Sequence, residues 1–215
     1  MLPGCGRASW CFTKGSGSAN SRWSARRLTG LGYVALAADM FGDRQQASNL
    51  QEVATLVSGL RAAPEKLRAR GRAGLAALAA LPQVDAGRLA ATGFCFGGSV
   101  VLELAREGAN LKAVVSFHGV LATKMPAQPG LVKASVLVCT GVDDPLAPPE
   151  QVADFENEMR TGGVKDWQVI AYGNTLHGFT NRAADGSMMR TALYNEQADR
   201  RSWASMKSLF DEVLT

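Results

Sequence analysis

Five short runs of apolar and β-branched residues, separated by longer segments of helical period, constrain the fold of this chain more than any other feature. They are YVALAA at 33–38, RLAATGF at 88–94, LKAVVSF at 111–117, SVLVCT at 135–140 and WQVIAY at 167–172. Runs this continuously apolar suit strands covered on both faces, because neither face meets water. The segments between them carry helix punctuation. NLQEVATLVSGL at 49–60, PEKLRARGRAGLAALAAL at 64–81, GGSVVLELAREG at 97–108, PPEQVADFENEMR at 148–160 and an amphipathic stretch at 192–214 read as helices. Pro64 stands at a first helical position and Gly108 closes a helix. Strand and helix in alternation predict an α/β fold, with a mainly parallel sheet, right-handed crossovers and helices on both faces.

Composition narrows the function classes. A chain of 215 residues with 47% apolar and 20% charged residues fits one soluble domain, and no window of about 18 uninterrupted apolar residues marks a membrane span. The net charge of +4 is concentrated at Arg7 to Arg27 and at Arg61 to Arg72. The second cluster, RAAPEKLRARGR, reads as a solvated helix face, and without interleaved aromatic residues it predicts no nucleic-acid site. Cys5, Cys11, Cys95 and Cys139 lack metal or disulfide spacing, so no metal is expected and a reducing, cytoplasmic setting fits. Residues 1–27 hold five basic residues and no acid but lack the apolar core of a secretory signal; they read as an ordinary N-terminus in preference to a targeting segment.

In an open parallel sheet, ligands bind beyond the carboxyl ends of the strands. Asp39, Cys95, His118, the pair Asp143 and Asp144, and the GNTLHGF loop around His177 all fall there. TGFCFGGS at 92–99 has the form of a nucleophile elbow, a sharp strand-to-helix turn whose flanking positions must be small. Gly93 and Gly97 meet that demand. A helix beginning at Phe96 would aim its unpaired N–H groups at the Cys95 sulfur and favour the thiolate, and the Phe96 N–H would face an oxyanion on an attacked carbonyl. A cysteine nucleophile also needs a base. The chain has two histidines, and His177 follows a strand in a glycine-flanked loop. GVDDPLAPPE presents a carboxylate that could hold the imidazole, Asp144 or, failing it, Asp143. Nucleophile, acid and histidine then follow in the chain order of the α/β-hydrolase arrangement.

GFCFGGS, VSFHG, GVDDPLAPPEQ, YGNTLHGF and GYVALAADMFGD together resemble the dienelactone hydrolase family over about residues 25–215. The resemblance implies an α/β-hydrolase-like fold and a carboxylic ester hydrolase of the carboxymethylenebutenolidase class, acting on a small-molecule ester or lactone without metal or organic cofactor. It implies Cys95 as nucleophile, His177 as base and Asp144 as orienting acid, since the family's acid stands four residues before a proline, here Pro148. Arg44, Phe94, His118 and Phe179 become candidate pocket residues, and Arg182 lies near another matching region. A monomer or a dimer is expected, with no nucleic-acid or membrane partner.

The N-terminus departs from the family pattern, in which several strands precede GYVAL; here they are reduced. Residues 1–24 form an atypical segment ahead of a single domain at 25–215. ASWCFT at 8–13 is the candidate strand to sit between the GYVAL strand and the elbow strand, with KGSGSAN as a glycine-rich loop and SRWSARRLTG as a helix. The second oxyanion donor is expected from backbone near Phe12 and Thr13. No acidic residue precedes Asp39, so the glutamate that family members carry in this loop is missing. The competing expectation is an inactive hydrolase-fold protein that binds without turnover.

Overall fold

The computed structural model describes residues 6–12, 19–45 and 47–215. Its elements are β1 (Gly6–Phe12), α1 (Ala19–Thr29), β2 (Tyr33–Ala38), α2 (Leu50–Ala62), α3 (Pro64–Ala79), β3 (Val84–Phe94), α4 (Phe96–Arg106), β4 (Ala113–Phe117), β5 (Ser135–Gly141), α5 (Pro149–Thr161), β6 (Trp167–Tyr172) and α6 (Glu196–Val213). Six parallel strands form one sheet in the order β2-β1-β3-β4-β5-β6. β1 thus occupies the slot between β2 and the elbow strand, with Phe12 paired to Ala38 on one side and to Gly93 on the other. Without it the facing edges of β2 and β3 would lie unpaired inside the sheet.

Strand side chains alternate between two apolar layers with period two. Leu89, Ala91, Val114, Val136 and Val138 join one layer with Leu67, Leu75, Leu104 and Phe155 from α3, α4 and α5. Ala90, Val115, Phe117, Leu137 and Cys139 join the other, with Leu28 of α1 and Met206 and Phe210 of α6. Pro64 splits what could be one helix into α2 and α3. The residue before a proline avoids helical dihedrals, and Ala63 adopts φ −120°, ψ 69°.

Two readings change. The C-terminal helix begins at Glu196 and not at 192, because Leu193 and Asn195 donate their N–H groups to His177 and Phe179, and Asn195 caps the helix through Ala198. The basic cluster is not a solvated face. Arg68 is buried and donates twice to Glu103 of α4, at 2.9 and 2.7 Å. Arg106 bonds the other Glu103 oxygen at 3.0 Å and holds Glu158 of α5 at 2.9 and 2.8 Å. The same network grips the β4–β5 connection: Arg68 reaches Met125 O, Arg106 reaches Leu121 O, and Glu158 accepts the Ala127 amide. Two cations and two anions balance, so removing one leaves buried charge uncompensated. Glu103→Gln should lower the unfolding free energy by about 3 kcal/mol, read from urea denaturation.

Candidate active site

Cys95 joins β3 to α4 with φ 56° and ψ −119°, a conformation that non-glycine residues rarely hold unless their surroundings impose it. The surroundings here are tight. A Cβ on Gly93 would stand 2.0 Å from the Gly97 carbonyl oxygen, and one on Gly98 would stand 2.9 Å from Gly119 Cα. These two glycines let β3, the start of α4 and the end of β4 converge around the cysteine. α4 begins at Phe96, so its first N–H groups, which have no partner within the helix, lie beside Cys95.

His177 Nε2 stands 3.1 Å from Cys95 Sγ, and His177 Nδ1 stands 2.8 Å from Asp144 Oδ2. The other Asp144 oxygen accepts the Leu146 amide at 2.9 Å. Asp144 and His177 are both buried, whereas Asp143 is exposed. The structure therefore brings Asp144, and not its neighbour, to the histidine. Gly141 makes the approach possible, because a Cβ there would meet Thr175 O at 2.2 Å. The His177 loop is held by strand-like bonds, with its amide donating to Thr191 O and its carbonyl accepting from Leu193.

Burial alone would push the His177 imidazole down. The hydrogen bonds to Asp144 and Cys95, together with their charges, outweigh it and raise the pKa from 6.5 to about 9. His177 is thus held protonated at neutral pH, between the Asp144 carboxylate and the Cys95 sulfur. Because the folded value lies above the unfolded one, the resulting stabilisation is fully present below pH 6.5 and lost as pH rises through about 9. The urea midpoint should fall across that window by the equivalent of about 3 kcal/mol, and His177→Gln should flatten the fall. Cys139 contrasts with Cys95: wholly buried, its thiol is pushed up to about 12 and is inert at neutral pH.

The remaining expected residues separate into groups. Phe96 lies at the helix start as anticipated. The Phe12 backbone ends β1 beside Gly93, while Thr13 lies outside the described residues. Phe94 stacks on Phe117 at 4.7 Å and Phe179 is fully buried against His118 and Tyr172, so among the described residues both pack in the apolar layer. Arg44 is exposed, and its amide serves the Asp39 carboxylate, which collects three backbone N–H groups in its own turn. Arg182 interacts with Arg27, Tyr194 and Asp199 instead. His118 is buried at the end of β4 and contacts both Cys95 and the His177 loop.

Arg61, at the end of α2, is the site residue that the sequence reading missed. Its guanidinium donates to Ser99 Oγ at 3.4 Å and lies within electrostatic reach of Cys95. Burial lowers its pKa and the Cys95 charge raises it again. No periodicity or spacing marks this arginine, since it sits among helix-surface cations and its partner Ser99 lies 38 residues further on. Among the described residues no His, Cys, Asp or Glu cluster could hold a metal ion, and no helix is long and apolar enough to cross a membrane.

The dienelactone hydrolase family model matches residues 13–214, nearly the whole chain. The chain belongs to the dienelactone hydrolase family. Among solved structures it is similar to a protein named m3DLH, 42% identical with a TM-score of 0.94, covering 100% of this chain and 90% of that one. It is also similar to the dienelactone hydrolase-like promiscuous phosphotriesterase P91 from metagenomic libraries, 40% identical with a TM-score of 0.93, covering 99% and 88%. An uncharacterized protein of Caenorhabditis elegans, K02A2.1, is 35% identical over 151 residues, 69% of this chain and 94% of the relative. Membership makes the chain a dienelactone hydrolase-like hydrolase of the α/β-hydrolase fold.

Proposed function

We propose that this chain cleaves a small ester or lactone by nucleophilic catalysis, with Cys95 attacking, His177 transferring protons and Asp144 holding His177. The observation that carries the reading is His177 spanning Asp144 and Cys95 at 2.8 and 3.1 Å on a strained elbow. The Cys95 thiolate attacks the carbonyl carbon, a C–S bond forms and the carbonyl electron pair moves onto oxygen. That oxyanion is received by the Phe96 N–H and by backbone at the Phe12 end of β1. As the oxyanion collapses the C–O bond breaks, and His177 Nε2 gives its proton to the leaving alkoxide. Neutral His177 then takes a proton from water, whose oxygen attacks the acyl carbon; the C–S bond breaks with its electron pair on sulfur, the carboxylic acid leaves and the Cys95 thiolate and protonated His177 are restored.

Arg61 favours a substrate that carries an anionic group beside the scissile bond, as a dienelactone does in the carboxymethylenebutenolidase reaction. The likeness to a promiscuous phosphotriesterase adds aryl phosphotriesters to the panel worth assaying. Mass spectrometry of protein quenched during turnover of an activated acetate ester tests the reading. One acetyl group is expected on the peptide containing Cys95 and none on Cys95→Ala. Steady hydrolysis with no adduct on Cys95, or an adduct retained elsewhere in Cys95→Ala, overturns it.

A further inference from the structure

His118 has no part in the proposed proton transfers, yet it is a second buried histidine at the same sheet edge. It leaves β4 with φ 40°, left-handed backbone that only a well-determined environment maintains for a residue with a Cβ. Its amide donates to Cys139 O at 2.8 Å, and its ring is buried between the Cys95 elbow and the His177 loop. Nδ1 accepts the Cys95 amide at 3.2 Å, a proton that Cys95 shares with Phe117 O at 3.0 Å. Nε2 lies 2.9 Å from Thr180 Oγ1, three residues beyond His177. The ring also meets the His177 ring edge to face at 5.0 Å and Phe179 at 5.1 Å.

These partners assign the tautomer. An Nδ1 that accepts an N–H carries no proton, so the proton of the neutral ring is on Nε2 and is donated to Thr180. We infer that His118 is a positioning residue: a neutral imidazole that ties the Cys95 elbow to the His177 loop and so sets the sulfur-to-imidazole separation. The inference deepens the proposed function and rests on it. Cys95 and His177 come from segments 82 residues apart, and their 3.1 Å contact depends on how the two turns are registered. His118 bonds to both turns. Its neutrality matters too, because a second imidazolium 5.0 Å from the His177 ring would oppose the charge that His177 holds for Cys95. Among the described residues, those facing Cys95 include His177, neutral His118 and Arg61, with Asp144 behind His177.

The test is the pH midpoint of Cys95 alkylation by iodoacetamide, read on the Cys95 peptide, in the full-length chain. Thr180→Val removes the hydroxyl at nearly constant shape. His118→Asn keeps an acceptor toward the Cys95 amide, suits left-handed backbone and gives up the Thr180 contact. Each should raise the midpoint by about one unit toward that of an ordinary thiol, near 8.5, and lower kcat by about ten-fold with KM changed less than about two-fold. The double variant should shift the midpoint no further than either single one, since both break the same link. Midpoints within about 0.2 units of the unsubstituted protein, or additive shifts in the double variant, overturn the inference. If His118→Asn does not fold, Thr180→Val alone decides. An unsubstituted Cys95 that alkylates like an ordinary thiol overturns the proposed function and this inference with it, whereas a normal parent with unshifted variants overturns the inference alone.

Discussion

Cys95→Ala and His177→Ala should each lower the turnover of an activated ester by about ten-thousand-fold; His177→Ala should also lower the unfolding midpoint, because the buried Asp144 carboxylate loses its partner. The size follows from the cooperation of the groups. A thiolate without its imidazole partner has no proton donor for the leaving alkoxide, and an imidazole without the thiolate activates water against an unacylated substrate in a site shaped for the sulfur. Removing either should therefore cost nearly as much as removing both, and the double variant should lose little more. Asp144→Asn should fall by about a thousand-fold or more in kcat, because an amide can present the wrong hydrogen-bonding atom to His177 Nδ1 and carries no charge to hold the imidazolium. The Asp144 hydrogen bond is the leading cause lifting the His177 pKa toward 9 against burial, so Asp144→Asn should also move the alkaline loss of stability to lower pH. Steady-state kinetics beside urea denaturation separates these losses from unfolding. A Cys95→Ala variant within about ten-fold of the parent would move the chemistry to another residue.

Much of this arrangement is legible in the residues because its determinants are local. The apolar runs that became β3, β4 and β5 need only their own composition to declare burial on both faces, whereas β2 and β6, at the sheet edges, are only partly buried. Gly93 and Gly97 flank Cys95 at the two positions where an elbow tolerates no side chain. Asp144 and His177 follow later strands, and parallel topology carries the residue after each strand to the same edge. What local pattern does not reveal depends on partners far along the chain. Arg68 looks like one cation in a helical charge run until Glu103, 35 residues away, is packed against it. Arg61 likewise meets Ser99, 38 residues away, only in the folded chain. Phe94 and Phe179, next to or near reactive residues in sequence, point into the apolar layer that strand alternation and α6 create. β1 has weak strand character of its own; its place comes from the slot between β2 and β3. The extended backbone at 192–195, helical in its local pattern, is held by the His177 loop.

Gly93→Ala should be the most damaging methyl group that can be added to the elbow. The new Cβ would lie 2.0 Å from the Gly97 oxygen, 2.2 Å from the Gly97 carbonyl carbon and 2.7 Å from the Gly98 nitrogen. All three atoms are backbone, so no rotamer change relieves the overlap. The chain must instead separate β3 from the first turn of α4. Both are anchored: β3 pairs with β1 and β4 on either side, and Gly98 itself cannot retreat without meeting Gly119 and Ser116. The expected cost is more than about 4 kcal/mol, or loss of the folded state, with ester turnover lost in any fraction that does fold because Cys95 leaves its strained geometry. Gly59→Ala is the control. It lies within α2 with nothing within 4 Å of its added Cβ, so the same methyl group should stabilise by about 0.5–1 kcal/mol through helix propensity alone. Opposite signs from one chemical change, measured by urea denaturation, would tie the requirement for glycine at 93 to the closeness of strand and helix at the elbow. A Gly93→Ala protein that folds within about 1 kcal/mol of the parent and retains turnover would show that the elbow can open without losing its function.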